Sequence, residues 1–182
     1  MTEHKHPPTI DVKPAAQSGA QLDGVDLLSN FERLAHLQLA QSGEMTLHWK
    51  VQLEQRARQD CAASVWLTLQ IDTTAGQICQ RCLMPVDVVV QIDREFRFVE
   101  SESVATQQDE ECEEDLLVLS RTFDLAGLIE DEVLMELPLV PRHDVCPVFI
   151  KMAAADADFA TAIDKPNPFA ALVKLKTGGS DQ

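Results

Sequence analysis

Three stretches of this chain alternate apolar and polar residues with a period of two. Met45, Leu47, Trp49, Val51 and Leu53 alternate with Thr46, His48, Lys50 and Gln52. Val65, Leu67, Leu69 and Ile71 repeat the pattern, as do Val86, Val88, Val90 and Ile92, continuing to Phe96 and Phe98. Period two puts all apolar groups of a strand on one face of a sheet. Such a sheet covers one face and wets the other. Consecutive half-buried strands with short connections favour an antiparallel meander, because buried parallel strands are apolar on both faces. Thr73-Thr74-Ala75-Gly76 reads as a turn. Ile78 to Cys82 reads as a short strand or strand end, broken by Pro85. The fold class is therefore α+β: an antiparallel sheet, open or barrel-like, with helices packed on it.

The helices come from a different periodicity. Ser29-Asn30-Phe31-Glu32 has the form of a capping box, and Phe31, Leu34 and Ala35 follow at helical spacing. The pattern predicts a helix from about Asn30 to Ala40. Asp124 is placed to cap a second helix running to about Leu137, stopped by Pro138, with Leu125, Leu128, Ile129 and Val133 on one face. Glu130, Asp131, Glu132 and Glu136 occupy much of the rest, and a solvated face explains Asp131, Glu132 and Glu136 better than catalysis. Leu116 to Leu119 reads as a short strand. Residues 1–24, polar and carrying Pro7, Pro8 and Pro14, read as an extended N-terminal arm, to which Thr9-Ile10-Asp11-Val12 adds a short edge strand. At 182 residues the chain suits one domain with tails. The expected division is the arm, a single α+β domain over 25–150, and a C-terminal segment over 151–182.

Charge narrows the partners. The net charge is −15, and −8 of it lies in residues 100–115, which hold eight acids and no base. Glu110, Glu111, Glu113, Glu114 and Asp115 are its densest part. Self-repulsion and a lack of apolar groups make this a mobile acidic loop on sequence grounds. A protein that grips phosphates needs a basic surface, so a basic protein partner is the easier electrostatic match. No apolar run of about 18 residues exists to span a membrane, and the first residues lack a signal-peptide core. The expectation is a cytoplasmic protein whose five cysteines stay reduced.

Cys79-Gln80-Arg81-Cys82 is C-x2-C, and His143-Asp144-Val145-Cys146 is H-x2-C. Two intervening residues let both ligands of a pair face one ion. Two such pairs supply three thiolates and an imidazole, a donor set that suits zinc. The competing reading is a set of reduced thiols at a strand end and a surface histidine. Redox use of C-x2-C is weaker, because that chemistry places the first thiolate at a helix N-terminus. No nucleophile elbow, P-loop, dinucleotide fingerprint or H-E-x-x-H appears, so the chain reads as no enzyme and no small-molecule substrate is expected.

Two further features suit partners. Trp49 shares parity with the core, but Trp66 sits with Thr68 and Gln70 on the opposite face. A helix covering it is the bland account; exposed, it is a stacking platform or interface anchor. Near the C-terminus Asn167 suits an N-cap and Pro168 the first position of a short helix over 168–176. Phe169, Leu172 and Val173 form its apolar anchor, and Lys174 and Lys176 suit its negative end. Packing on its own domain and docking to a partner both fit this helix.

Several of these stretches together resemble the YceD family of large ribosomal RNA subunit accumulation proteins. The resemblance lies in Cys79-Gln80-Arg81-Cys82-Leu83-Met84-Pro85, and in Asp124-Leu125 through Leu128-Ile129-Glu130-Asp131-Glu132. It continues in Leu137-Pro138-Leu139-Val140-Pro141-Arg142-His143 and in Lys165-Pro166-Asn167-Pro168-Phe169-Ala170 to Leu175-Lys176. It implies a non-enzymatic bacterial factor needed for normal 23S rRNA levels. Its partners would be a large-subunit ribosomal protein, precursor 23S rRNA, or both. Arg81, Arg94, Arg97, Arg142 and the terminal lysines are the cations available for direct RNA contact. Two other classes remain open at this point. One is a zinc-stabilised interaction module without a ribosomal role. The other is a metal- or thiol-dependent RNA-processing enzyme, against which the absence of a spaced base, nucleophile or carboxylate cluster counts.

Overall fold

A computed structural model describes residues 2–4, 6–37, 45–58, 61–108, 112–149 and 169. The chain divides into two units, Met1–Cys146 and Pro147–Gln182. The elements of the first are β1 (Thr2–His4), β2 (Thr9–Ile10), α1 (Val12–Gln17), β3 (Gln21–Leu27), a 3-10 turn (Leu28–Asn30) and α2 (Glu32–Leu37). They continue as β4 (Thr46–Arg58), β5 (Cys61–Ile78), β6 (Pro85–Val99), α3 (Glu102–Gln108), β7 (Asp115–Val118), β8 (Phe123–Asp124) and α4 (Leu125–Glu136). No described helix is long and apolar enough to cross a membrane.

Strands β3, β4, β5 and β6 form the expected antiparallel meander. Two short parallel strands extend it, giving the order β1-β3-β4-β5-β6-β7, and β2 pairs with β8 separately. The outer strands β1 and β7 do not meet, so the sheet is open and no barrel forms. Alternation decides the faces. Leu47, Trp49, Val51, Leu53, Leu67, Leu69, Val90, Phe96 and Phe98 turn inward against Val12 and Ala16 of α1, Leu34 of α2, and Leu125, Ile129 and Val133 of α4. Each fully buried side chain of this size contributes roughly 1.5–3 kcal/mol of burial free energy. The opposite face is polar. Arg56 bridges Glu54 and Glu95, Gln70 donates to Asp93, and Gln91 donates to Asp72.

Five expectations need correction. Thr73–Gly76 is no turn: β5 runs straight through it, since Val86 to Val90 of β6 supply a partner for every one of these residues and for Gln77. The first 24 residues are not an extended arm throughout: Thr9–Ile10 is the short strand expected, but Val12–Gln17 is helical. Val12 and Ala16 are in the core, and β3 starts at Gln21. His6 reaches the buried carboxylate of Asp26, which also accepts from Asn30 and from the Leu27 N–H. Burial opposes ionisation of Asp26, but these donors hold its carboxyl below the usual range. The acidic stretch is not one loop either, because Glu102–Gln108 is helical and Asp115 opens β7. The helix expected over Asn30–Ala40 begins only at Glu32, after the 3-10 turn, and 38–40 lie outside the described residues.

The fifth correction concerns α4. Its Asp124 cap holds as read, accepting from the Gly127 N–H at 3.0 Å. A Cβ at Gly127 would meet that carboxylate at 2.7 Å, so glycine makes room for the cap. The acids of α4, however, are not all solvated: Glu130 and Glu132 are 8% and 5% exposed. Glu130 Oε1 accepts from the N–H groups of Arg33 and Leu34 at 2.6 and 3.1 Å, and Oε2 pairs with the Arg33 guanidinium. A carboxylate of one helix thus caps the N-terminus of another.

Candidate metal centre

The centre forms where β5 and β6 are joined. β5 ends at Ile78 and β6 starts at Pro85, leaving Cys79–Met84 to reverse the chain. Cys79 N–H donates to the Met84 carbonyl at 2.9 Å and Leu83 N–H to the Cys79 carbonyl at 2.8 Å, which closes the turn. Leu83 takes a φ of 61°. That left-handed conformation is uncommon for a branched side chain, which here points outward and is 73% exposed. Past α4, Pro138 ends the helix and residues 138–146 return as an irregular strap. Gln80 N–H donates to the Pro141 carbonyl at 2.8 Å and fastens strap to turn.

This fastening brings together the four residues that the sequence separated by sixty positions. Donor atoms of Cys79, Cys82, His143 and Cys146 all lie within 4.8 Å of one another. Cys79 Sγ is 4.0 Å from Cys146 Sγ, and Cys82 Sγ is 3.4 Å from His143 Nδ1. Tetrahedral sulfur ligands at about 2.3 Å from an ion stand about 3.8 Å apart. The two spacings of 4.0 and 3.4 Å bracket that value, and the set as a whole is close enough to converge on one four-coordinate ion. Cys79 is buried and the other three are half-buried.

The backbone prepares the Cys79 sulfur for that role. Burial alone would push the Cys79 thiol up. The N–H groups of His143, Cys82 and Arg81 converge on its sulfur and bring it down to about 5. Burial pushes the Cys82 thiol up, against the Met84 N–H, and the neighbouring Cys79 and Cys146 sulfurs add to the rise. The Cys79/Cys82 pair sits in a strand-to-strand turn and not at a helix N-terminus, so the geometry associated with a redox C-x2-C is missing.

Other residues singled out from sequence fall elsewhere. Arg81 is part of the centre: it donates from Nε to Cys146 Sγ at 3.1 Å and from Nη2 to the His143 and Asp144 carbonyls at 2.9 and 3.3 Å. The sequence alone presents it as a cation available to a partner. Its position between two ligand cysteines was the available signal of a structural duty. Arg142 is exposed beside the centre, lining a cavity of about 490 Å³ with Val86, Pro138 and Asp144. Trp66 is half-buried on the polar face. The Arg56 guanidinium lies 4.6 Å from its ring centroid, and its indole N–H donates to Ser64. Arg94 faces Asp115 and Glu132, while Arg97 faces Gln108 and Glu114. Glu113 is exposed. Glu110, Glu111, Asn167, Pro168, Lys174 and Lys176 lie outside the described residues, and Phe169 is exposed.

Residues 67–176 match the family described as Large ribosomal RNA subunit accumulation protein YceD. A Haemophilus influenzae protein of that same name is 27% identical over 180 residues, covering 97% of this chain and 99% of the relative. No solved structure gives a significant match.

Proposed function

The chain belongs to the YceD family of large ribosomal RNA subunit accumulation proteins, and from that premise we propose that it sustains the accumulation of 23S rRNA by binding, not by catalysis. It acts in the cytoplasm on assembling large subunits. Its partner is a basic ribosomal protein of that subunit in preference to naked precursor rRNA. The observation that carries this choice is the state of its cations. The chain has a net charge of −15. Arg81, Arg94 and Arg97 are each engaged by groups of the chain itself. Phosphate binding needs several uncommitted cations on one surface. A negative surface instead attracts and orients a cationic protein.

Zinc held by Cys79, Cys82, His143 and Cys146 suits this role. Three thiolates and one imidazole make a closed site, and a closed site supplies cross-linking in place of chemistry. It would lock the strap to the β5–β6 turn. Freshly purified protein is expected to carry about one zinc per chain, and a content below about one-tenth would reject the ion.

The test of function is made in growing cells. Tagged protein, purified at moderate salt, is expected to bring down large-subunit proteins and 23S precursors together. Cells lacking the protein should show depleted 23S rRNA and large subunits. Capture of metabolic enzymes alone, or a full complement of large subunits without the protein, would overturn the proposal.

A further inference from the structure

The two halves of the ligand set approach from opposite directions, and what holds them in place is the question. Cys79 and Cys82 are fixed by the turn between two long strands. His143 and Cys146 ride on a strap without regular structure. Upstream, the Gln80–Pro141 bond and the His143 N–H on Cys79 Sγ, at 3.5 Å, secure the strap. At its far end, the hydrogen bonds described between turn and strap come from Arg81, apart from the thiol contacts of Cys79 with Cys146 and of Cys82 with the His143 ring. One edge of the guanidinium donates to Cys146 Sγ, and a second nitrogen donates to two successive carbonyls, His143 and Asp144.

Arg81 thus grips a ligand sulfur and the backbone leading to it at the same time. A planar fork with donors on separate edges can do this; a lysine ammonium supplies charge at one point only. The charge also matches. Three thiolates around a divalent cation leave one negative charge, and the guanidinium lies against the sulfur most remote in sequence from the turn.

We propose that Arg81 is the positioning residue of the metal centre, setting the place of Cys146 and compensating the charge of the trithiolate site. This rests on the reading that the cluster holds zinc. Arg81 contacts the ligand and not the ion, so its effect is on affinity and on which sulfur departs first. Groups that orient metal ligands from outside the coordination shell typically change affinity 10–100-fold.

The experiment compares the full-length wild type with Arg81→Gln and Arg81→Lys. Zinc affinity is read by competition with a chromophoric chelator. Thiolate ligation is read by the charge-transfer absorption of the cobalt-substituted protein. Arg81→Gln is expected to bind zinc roughly 10–100-fold more weakly. Its cobalt–thiolate band should fall by about one third, since two of three thiolates remain. Alkylation of the zinc-loaded variant followed by mass spectrometry should mark Cys146 before Cys79 or Cys82. Arg81→Lys, with charge but no fork, should restore part of the affinity and not the full band.

Wild-type affinity with a full band in Arg81→Gln would overturn the proposal while leaving the zinc reading intact. Full recovery of both readouts in Arg81→Lys would reduce Arg81 to a charge and overturn the positioning role. A wild type that takes up no zinc would remove the zinc reading itself, and the proposal with it. Should Arg81→Gln fail to fold, the lysine variant alone decides, through its cobalt band.

Discussion

Glu130 and Glu132 stand two positions apart on α4, both buried, and the protein pushes their ionisation in opposite directions. Burial disfavours the charge of each. At Glu130 the Arg33 guanidinium and the N–H groups of Leu34 and Arg33 more than reverse that, so its carboxyl lies below the usual range. At Glu132 burial prevails; Arg94 helps the charge, but Asp115, Asp131 and Glu136 oppose it, so its carboxyl lies above the usual range. A depressed carboxyl contributes stability above its unfolded pKa of about 4.3, lost as pH falls through the folded value. A raised carboxyl does the reverse: stability declines as pH rises from the unfolded value through the folded one. Glu130→Gln should therefore cost about 1–3 kcal/mol at pH 7, with the loss shrinking in acid. Glu132→Gln should be at least as stable as wild type at pH 7, its advantage disappearing below about pH 4. Urea denaturation across this pH range checks both signs, and a Glu132→Gln protein that loses stability at neutral pH contradicts the second. Neither acid was legible as buried from the sequence. Charge on a helix reads as solvent-facing, and the decisive partner of Glu130, Arg33, is 97 residues away.

Among the elements, the sheet was legible and the reversal between β5 and β6 was not. Period-two alternation identified β4, the inward-facing half of β5, and β6, because burial on one face writes itself directly into the residue order. Thr73–Gly76 carries turn-type residues, yet the chain stays extended there because β6 is long enough to pair it. The real reversal is at Cys79–Met84, where sequence showed a ligand pair and a proline but gave no glycine for the left-handed position. Leu83 fills that position at φ 61°. The contacts around it, the Cys79–Met84 and Leu83–Cys79 bonds, force the conformation on a residue that resists it. Replacing Leu83 by Gly removes the steric penalty, and the exposed side chain has little packing to lose. The substitution should raise stability by roughly 1 kcal/mol. Equilibrium unfolding of zinc-loaded protein measures it. A clear loss would mean that Leu83 packs on something beyond the described chain or that the turn is not left-handed.

For the molecule as a whole, the unequal distribution of charge makes the sharpest difference. The acidic stretch was legible as sequence, but its structural share was not. Glu114 and Asp115 face Arg97 and Arg94, and Gln108 holds Arg97 from α3. Deleting residues 100–115 would remove a helix and part of an edge strand along with the charge, and would confuse unfolding with lost recognition. Asp109, Glu110, Glu111 and Glu113 can be neutralised instead, to Asn and Gln, leaving α3 and β7 unaltered in sequence. If the negative surface recruits a cationic ribosomal protein, this variant should capture it roughly fivefold to tenfold less at about 0.1 M salt, with the difference closing above about 0.5 M. Were the acids there only to repel nucleic acid, the same variant would bind 23S fragments more tightly and the protein partner unchanged. Salt titration of both associations separates the two. Screening weakens attraction and repulsion alike, so a preference that reverses sign between the two partners must come from these four carboxylates and not from a change in fold.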